Sequence, residues 1–329
     1  MKKLLSKKIS KNISWLFFDK LFRASLNFLI IIFLARYLEP EKFGLLSYLL
    51  SLLLLFTSAS SLGLNPVLVN KFVKTPKNLE IYLANGYFLR FFSSLLSYFL
   101  FIVFIIIFHV EFTYTKYSLI LGMCLVFKSS EILFSYFESK TLSKKIVISQ
   151  LYGLLILFIL QLIVIYFRLN IDYIIWTFLA EALVVAFFIN IFFFSKNFIN
   201  FKLISMTVCK KLLKLSFPVL FSTISIIVYM RIDQVMIQNM LGNYNVGTYS
   251  VSVRLIEAFH FLPKIIIISF LPYLLKISYK SRKLYEKKLI NLNFLTIYFS
   301  LFLVLLIYFF SDVMVNVFFG INYLESIDL

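Results

Sequence analysis

The chain is expected to fold as an all-α, polytopic membrane protein, and three observations carry that expectation. Nine apolar stretches are each long enough to cross a bilayer, since a helix needs about 20 apolar residues to span the hydrocarbon. The connections between them alternate between lysine-rich and nearly lysine-free. With 61% hydrophobic residues, 41 Phe and a mean hydropathy of +0.94, the chain has too little polar surface for a soluble fold of its size. In lipid every mid-span backbone group must be paired internally, and spans of this length demand helices and not strands.

The expected spans are 12–36, 43–69, 83–108, 117–138, 149–167, 173–195, 216–240, 247–275 and 290–311. The first follows a basic start, Lys2 to Lys11, but is long and lacks a small-residue cleavage site. It reads as an uncleaved helix and not as a signal peptide. Between spans two and three lie Lys71, Lys74 and Lys77; between four and five, Lys140, Lys144 and Lys145. Between six and seven lie Lys196, Lys202, Lys210, Lys211 and Lys214, and between eight and nine Lys276, Lys280, Arg282, Lys283, Lys287 and Lys288. The other connections offer only Lys42, Lys116 and Arg168. By the positive-inside rule the amino terminus and the basic loops are cytoplasmic. The net charge of +18 is therefore topology signal and attraction to anionic lipids, and nucleic acid is not an expected partner. The basic stretches 196–215 and 276–289 read as interfacial helices.

Spans one and seven are followed by related connections. Ala35 to Ser47 reads Ala-Arg-Tyr-Leu-Glu-Pro-Glu-Lys-Phe-Gly-Leu-Leu-Ser, and Gln238 to Ser250 reads Gln-Asn-Met-Leu-Gly-Asn-Tyr-Asn-Val-Gly-Thr-Tyr-Ser. Leu38 matches Leu241, Gly44 matches Gly247 and Ser47 matches Ser250, each pair 203 residues apart. Both stretches join spans that run the same way, which predicts a parallel repeat about an axis along the membrane normal. The expected division is an amino-terminal six-helix lobe, 1–200, and a partial carboxy-terminal lobe of three helices, 201–329. The final Phe-Phe-Gly-Ile-Asn-Tyr-Leu-Glu-Ser reads as an external loop leading toward a further helix, so a missing carboxy-terminal piece is expected.

The two connections, above all the stretch from Arg231 to Arg254, resemble the signatures of the polysaccharide-biosynthesis flippases, the O-antigen-unit translocases of the MOP exporter superfamily. The resemblance covers essentially the whole chain. It implies two six-helix lobes around a central cavity, usually with twelve or more spans, from which this chain departs with an incomplete second lobe. It also implies transport, in a bacterial inner membrane, of undecaprenyl-pyrophosphate-linked O-antigen or capsule units from the cytoplasmic to the periplasmic leaflet. The lipid-linked oligosaccharide and anionic membrane lipids are then the expected partners, with room for the glycan polymerase machinery.

A pyrophosphate-bearing head group needs a polar route through about 30 Å of hydrocarbon, so ionisable residues inside spans are the candidates. Arg23, Asn27, Lys128, Arg231, Arg254 and Lys264 are expected to bind substrate, since arginine suits bidentate contact with phosphate. Asp19, Glu131, Glu181, Asp233 and Glu257 are expected to balance charge or couple ions. Asp19, Arg23 and Asn27 form one stripe of the first span, although Asp19 and Lys20 also suit snorkelling at the interface. In the seventh span Ser222, Ser225, Tyr229 and Asp233 share one face and Arg231, Gln234 and Gln238 another, so neither face is expected to meet lipid. Arg254 is the expected partner of Asp233, and a structural ion pair is the competing reading. Lys128 and Glu131 read as a local pair, Arg90 as a snorkelling residue, and Arg36 and Arg168 as anchors at external helix ends. Pro218 reads either as an N-terminal proline or as a bend.

The sequence has no phosphate-binding Gly-Lys-Ser/Thr loop, no Gly-x-Ser-x-Gly and no His-Glu-x-x-His. Only His109 and His260 are available for acid–base work, and Cys124 and Cys209 fall in different compartments. No cofactor, metal or enzymatic activity is therefore expected. A membrane-embedded glycan polymerase or acyltransferase of the same pathway, or an inactive shortened flippase, are the alternatives.

Overall fold

A computed structural model of the chain describes the backbone of residues 2–108, 112–278 and 281–329, and side chains from Leu21 onward except residue 112 and part of 260–280. Asp19, His109, His260 and Lys264, all singled out from the sequence, have side chains outside the described residues. Ten α-helices follow in order: α1 Lys2–Ser60, α2 Leu64–Lys74, α3 Leu79–Phe108, α4 Phe112–Phe127, α5 Ile132–Ser139, α6 Ser143–Tyr166, α7 Ile171–Phe194, α8 Met206–Leu241, α9 Asn243–Ser278 and α10 Arg282–Phe318. Among the described residues there is no strand, and seven helical stretches are long and apolar enough to cross a membrane. The first of these, Leu21–Lys74, holds residues 21–36 of the first expected span and all of the second, and the eighth expected span falls within α9. The chain is an all-α, multi-pass membrane protein.

Several breaks in the helices follow from local chemistry. Pro40 crowds the residue before it out of the α region and donates no backbone hydrogen bond. Glu39 accordingly leaves the α region with ψ 170 and, at a φ of 60 that the proline does not itself impose, divides α1 into two limbs. A second break follows at Leu62 and Gly63, with φ 51 and φ 61. Expected span two is therefore the second limb of α1 followed by α2. The fourth span is also broken, because Lys128–Glu131 form a 3-10 turn between α4 and α5. Pro218 lies well inside α8 and not at its start. Residues 206–215 and 282–289, expected as parts of interfacial helices, are instead the first turns of the long helices α8 and α10.

The lysine-poor connections gather at one end of the bundle. Tyr37 donates to the Leu169 carbonyl, Lys116 pairs with Asp172 at 2.9 Å, and the Tyr114 hydroxyl bonds the Asn243 side chain. Arg36 donates to the carbonyls of Val317 and Phe318, capping the C-terminus of α10, where orphan carbonyls and the helix dipole favour a cation. It is thus a cap as well as an end residue. The last residues fold back onto this end: buried Tyr323 donates to the Ala35 carbonyl at 2.8 Å and Ser252 to that of Ser326 at 2.7 Å. The lysine-rich connections gather at the opposite end. There Asn85 bonds Leu203 and Ser205 at 3.0 and 2.8 Å, Tyr136 bonds Asn197 at 3.0 Å and Lys145 bonds the Phe192 carbonyl at 3.1 Å.

The two related connections pack against each other reciprocally. A Cβ on Gly44 would overlap the Asn243 carbonyl, and a Cβ on Gly247 would overlap that of Pro40. Gly242, 203 residues after Glu39, has nearly the same backbone, φ 84, ψ −178. Four positions in each stretch, 39, 40, 44 and 47 with 242, 243, 247 and 250, therefore correspond by conformation, contact or identity. α1 packs most extensively against α9 and α8, while α10 lies against α9.

Candidate functional site

The ionisable residues fall into two groups on two sides of the first limb of α1. The first is a cavity of about 150 Å³ between α1, the α4–α5 break, α6 and α7. Arg23, Asn27, Lys128, Glu131 and Glu181 all line it, together with Ser130 and Gln150. The break is what delivers three of these: a 3-10 turn within a spanning helix re-aims its side chains and marks a site. Arg23 donates to Gln150 Oε1 at 2.7 Å. Glu131 lies 3.8 Å from Arg90 and not in a local pair with Lys128. Arg90 does not snorkel: it is 3% exposed and donates to Ser60 at 3.1 Å, pinning α3 to the end of α1. Counting the lining side chains, two cations face two carboxylates, so the cavity is charge-balanced.

The second group lies on α8 and α9, beside an open cleft of about 400 Å³ between α1 and α9. Ser25, Asn27, Phe28 and Ile31 form one wall, and Arg254, Glu257 and Phe259 the other, with Phe318 also contributing. Asn27 borders both spaces. Glu257 bridges two arginines, accepting from Arg231 at 2.8 Å and Arg254 at 3.0 Å. Asp233 is not paired with Arg254 as expected; its carboxylate accepts from the Tyr249 hydroxyl. The i, i+3 spacing of Arg254 and Glu257 on one helix face explains why they meet, leaving Asp233 to the hydroxyl opposite it.

The faces of α8 also separate. Gln234 accepts from Ser51 and Gln238 donates to Tyr114 at 2.9 Å, both within buried helix–helix contacts. Ser222, Ser225 and Tyr229, expected to be sheltered, are exposed, Tyr229 to 85%. Among the described residues this face has no packed neighbour along that part of α8. Lys264 and Asp19 lie outside the described side chains, as stated above. Three residues that sequence reasoning passed over belong to the sites, Gln150, Ser130 and Tyr249, and Arg90, read as snorkelling, joins them through Glu131. Gln150 and Ser130 carried a signal, because each is a polar residue in an apolar run.

A family model described as polysaccharide biosynthesis protein matches residues 9–278. The chain belongs to that family. It is a family of flippases and polysaccharide biosynthesis proteins whose members are mostly transporters, which places this chain in glycan export with a flippase-type role. No curated protein and no solved structure matches it.

Proposed function

We propose that this protein moves undecaprenyl-pyrophosphate-linked oligosaccharide units from the cytoplasmic to the periplasmic leaflet of the bacterial inner membrane by alternating access. In this reading residues 1–200 and 201–329 act as two lobes, the amino terminus is cytoplasmic, and the lysine-poor end is periplasmic. The observation that carries it is the cleft between α1 and α9, with Arg254 and Glu257 on one wall and Asn27 and Ser25 on the other. A pyrophosphate would meet the guanidinium there. Amides and hydroxyls suit the sugars, and Phe28, Phe259 and Phe318 suit the isoprenoid and the faces of the sugar rings. Contact between the two related connections shuts the lysine-poor end, so the cleft lies on the cytoplasmic side of a closed periplasmic seam. Rocking about that seam would carry the head group through.

The charge-balanced cavity is assigned a supporting part: Arg23 and Lys128 as a secondary anion contact, with Glu131 and Glu181 as the balancing or ion-coupling carboxylates. Lysines at the cytoplasmic end hold anionic headgroups. Complementation of a flippase-deficient strain tests the reading. The wild-type chain should restore surface glycan, and Arg254→Ala, inserted at the same level, should not. Normal surface glycan from Arg254→Ala removes the assigned role of the cleft.

A further inference from the structure

Glu257 is held in a way that leaves one of its two arginines replaceable. Arg231 Nη2 binds Oε1 and Arg254 Nη1 binds Oε2, so each guanidinium uses one nitrogen on the carboxylate and neither forms the two-pronged fork that guanidinium and carboxylate prefer. The two arginines differ in position. The Arg231 side chain is 8% exposed and stands behind the cleft wall, whereas that of Arg254 is 18% exposed and lines the cleft with Glu257. Arg231 Nη1 is buried and donates to nothing among the described residues. A buried guanidinium nitrogen without an acceptor is costly, and it sits on the residue that already binds Glu257.

Resting on the reading of the cleft as the pyrophosphate passage, we propose that Glu257 is an internal stand-in for the substrate's phosphate. In the empty cleft it holds Arg254; when a pyrophosphate arrives, Arg254 turns to the phosphate and Glu257 closes a fork on Arg231. Each group then keeps a charged partner. Arg254 exchanges a carboxylate oxygen for a phosphate oxygen of similar hydrogen-bonding geometry. The freed Oε2 meets the unused Nη1 of Arg231, so no buried charge is abandoned during the exchange. The carboxylate thereby sets the affinity. Without it, Arg254 would be free to grip the phosphate with its whole guanidinium, backed by the charge of Arg231; with it, the ligand must compete for Arg254 and can be let go on the far side. A transporter requires such moderated binding, favourable enough to load and weak enough to release.

The test uses the full chain in lipid nanodiscs, titrated with farnesyl pyrophosphate as the probe. Glu257→Gln removes the competing charge, and binding should tighten about tenfold. Glu257→Asp keeps the charge but shortens the reach, so it should hold Arg231, free Arg254 and tighten binding in the same direction. It supplies the answer should the amide variant fail to fold. Arg254→Ala should weaken binding about tenfold. If Arg254→Ala weakens binding while a folded Glu257 variant binds at wild-type strength or more weakly, the competition idea falls and the cleft reading stands. If Arg254→Ala binds as the wild type does, the cleft reading itself falls. Inorganic pyrophosphate should rank the variants the same way at lower affinity. Equal affinity for the free anion would overturn a lipid-linked source of the ligand.

Discussion

The cavity among α1, α4–α7 and the cleft between α1 and α9 share a wall and one residue, Asn27, yet they solve opposite problems. In the cavity Arg23 and Lys128 share one space with Glu131 and Glu181, and Glu131 also lies 3.8 Å from Arg90. In the cleft Arg254 shares the single carboxylate of Glu257 with Arg231, beside an apolar, aromatic wall. Buried ions are stabilised by counterions of their own. An arginine that shares its counterion and faces an apolar wall is better placed to receive an amphipathic anion. On this contrast we propose recognition for the cleft and a structural or coupling part for the cavity.

The largest effect that would break this contrast lies in the cleft. Arg254→Ala should reduce glycan export about a hundredfold, equivalent to roughly 2.7 kcal/mol of lost interaction, read as surface glycan at equal protein level. Next comes the cavity, where Lys128 and Glu181 line one space. Glu181→Leu alone should cost about 2.5 kcal/mol, and adding Lys128→Met should recover most of it. Thermal unfolding in detergent of the two single variants and the double variant checks this. Additive losses would show that the four charges are independent.

A smaller loss is expected at the seam. Gly247→Ala and Gly44→Ala should each cost about 2 kcal/mol, because each new methyl meets a backbone carbonyl that cannot swing aside. The two should behave alike, which unfolding midpoints of both variants would show. A difference of several degrees would break the symmetry of the two connections. Smallest is Glu39→Gly, expected to gain about 1 kcal/mol, since the exposed Glu39 occupies a backbone region proper to glycine and its counterpart already is one. The same unfolding assay reads it.

Much of this was legible in the sequence. Helix length and the lysine alternation located the spans and the two ends, because the bilayer fixes both, and the Gly44/Gly247 correspondence picked out the two related connections without showing that they pack on each other. The division of charges into two sites was not legible. Arg23 and Arg254 are both mid-span arginines, and only the packing of α6 and α7 on one side of α1 and α9 on the other separates them. Arg90 was misread for a similar reason: its place near a helix end suggested snorkelling, whereas Ser60 and Glu131 hold it inward. The break at Lys128–Glu131 did have a signal, since Lys-Ser-Ser-Glu is four polar residues running through a spanning segment. The pairing of Asp233 with Tyr249 rather than with Arg254 depends on side-chain direction across the α8–α9 hairpin, which spacing along either helix does not specify.

The most direct test is the rate at which a fluorescent prenyl pyrophosphate crosses the bilayer of proteoliposomes containing this chain or its Arg254→Ala variant. The wild-type chain should equilibrate the lipid between leaflets well above the protein-free rate, and the variant should match protein-free vesicles. A variant that moves the lipid as fast as the wild type would contradict the account.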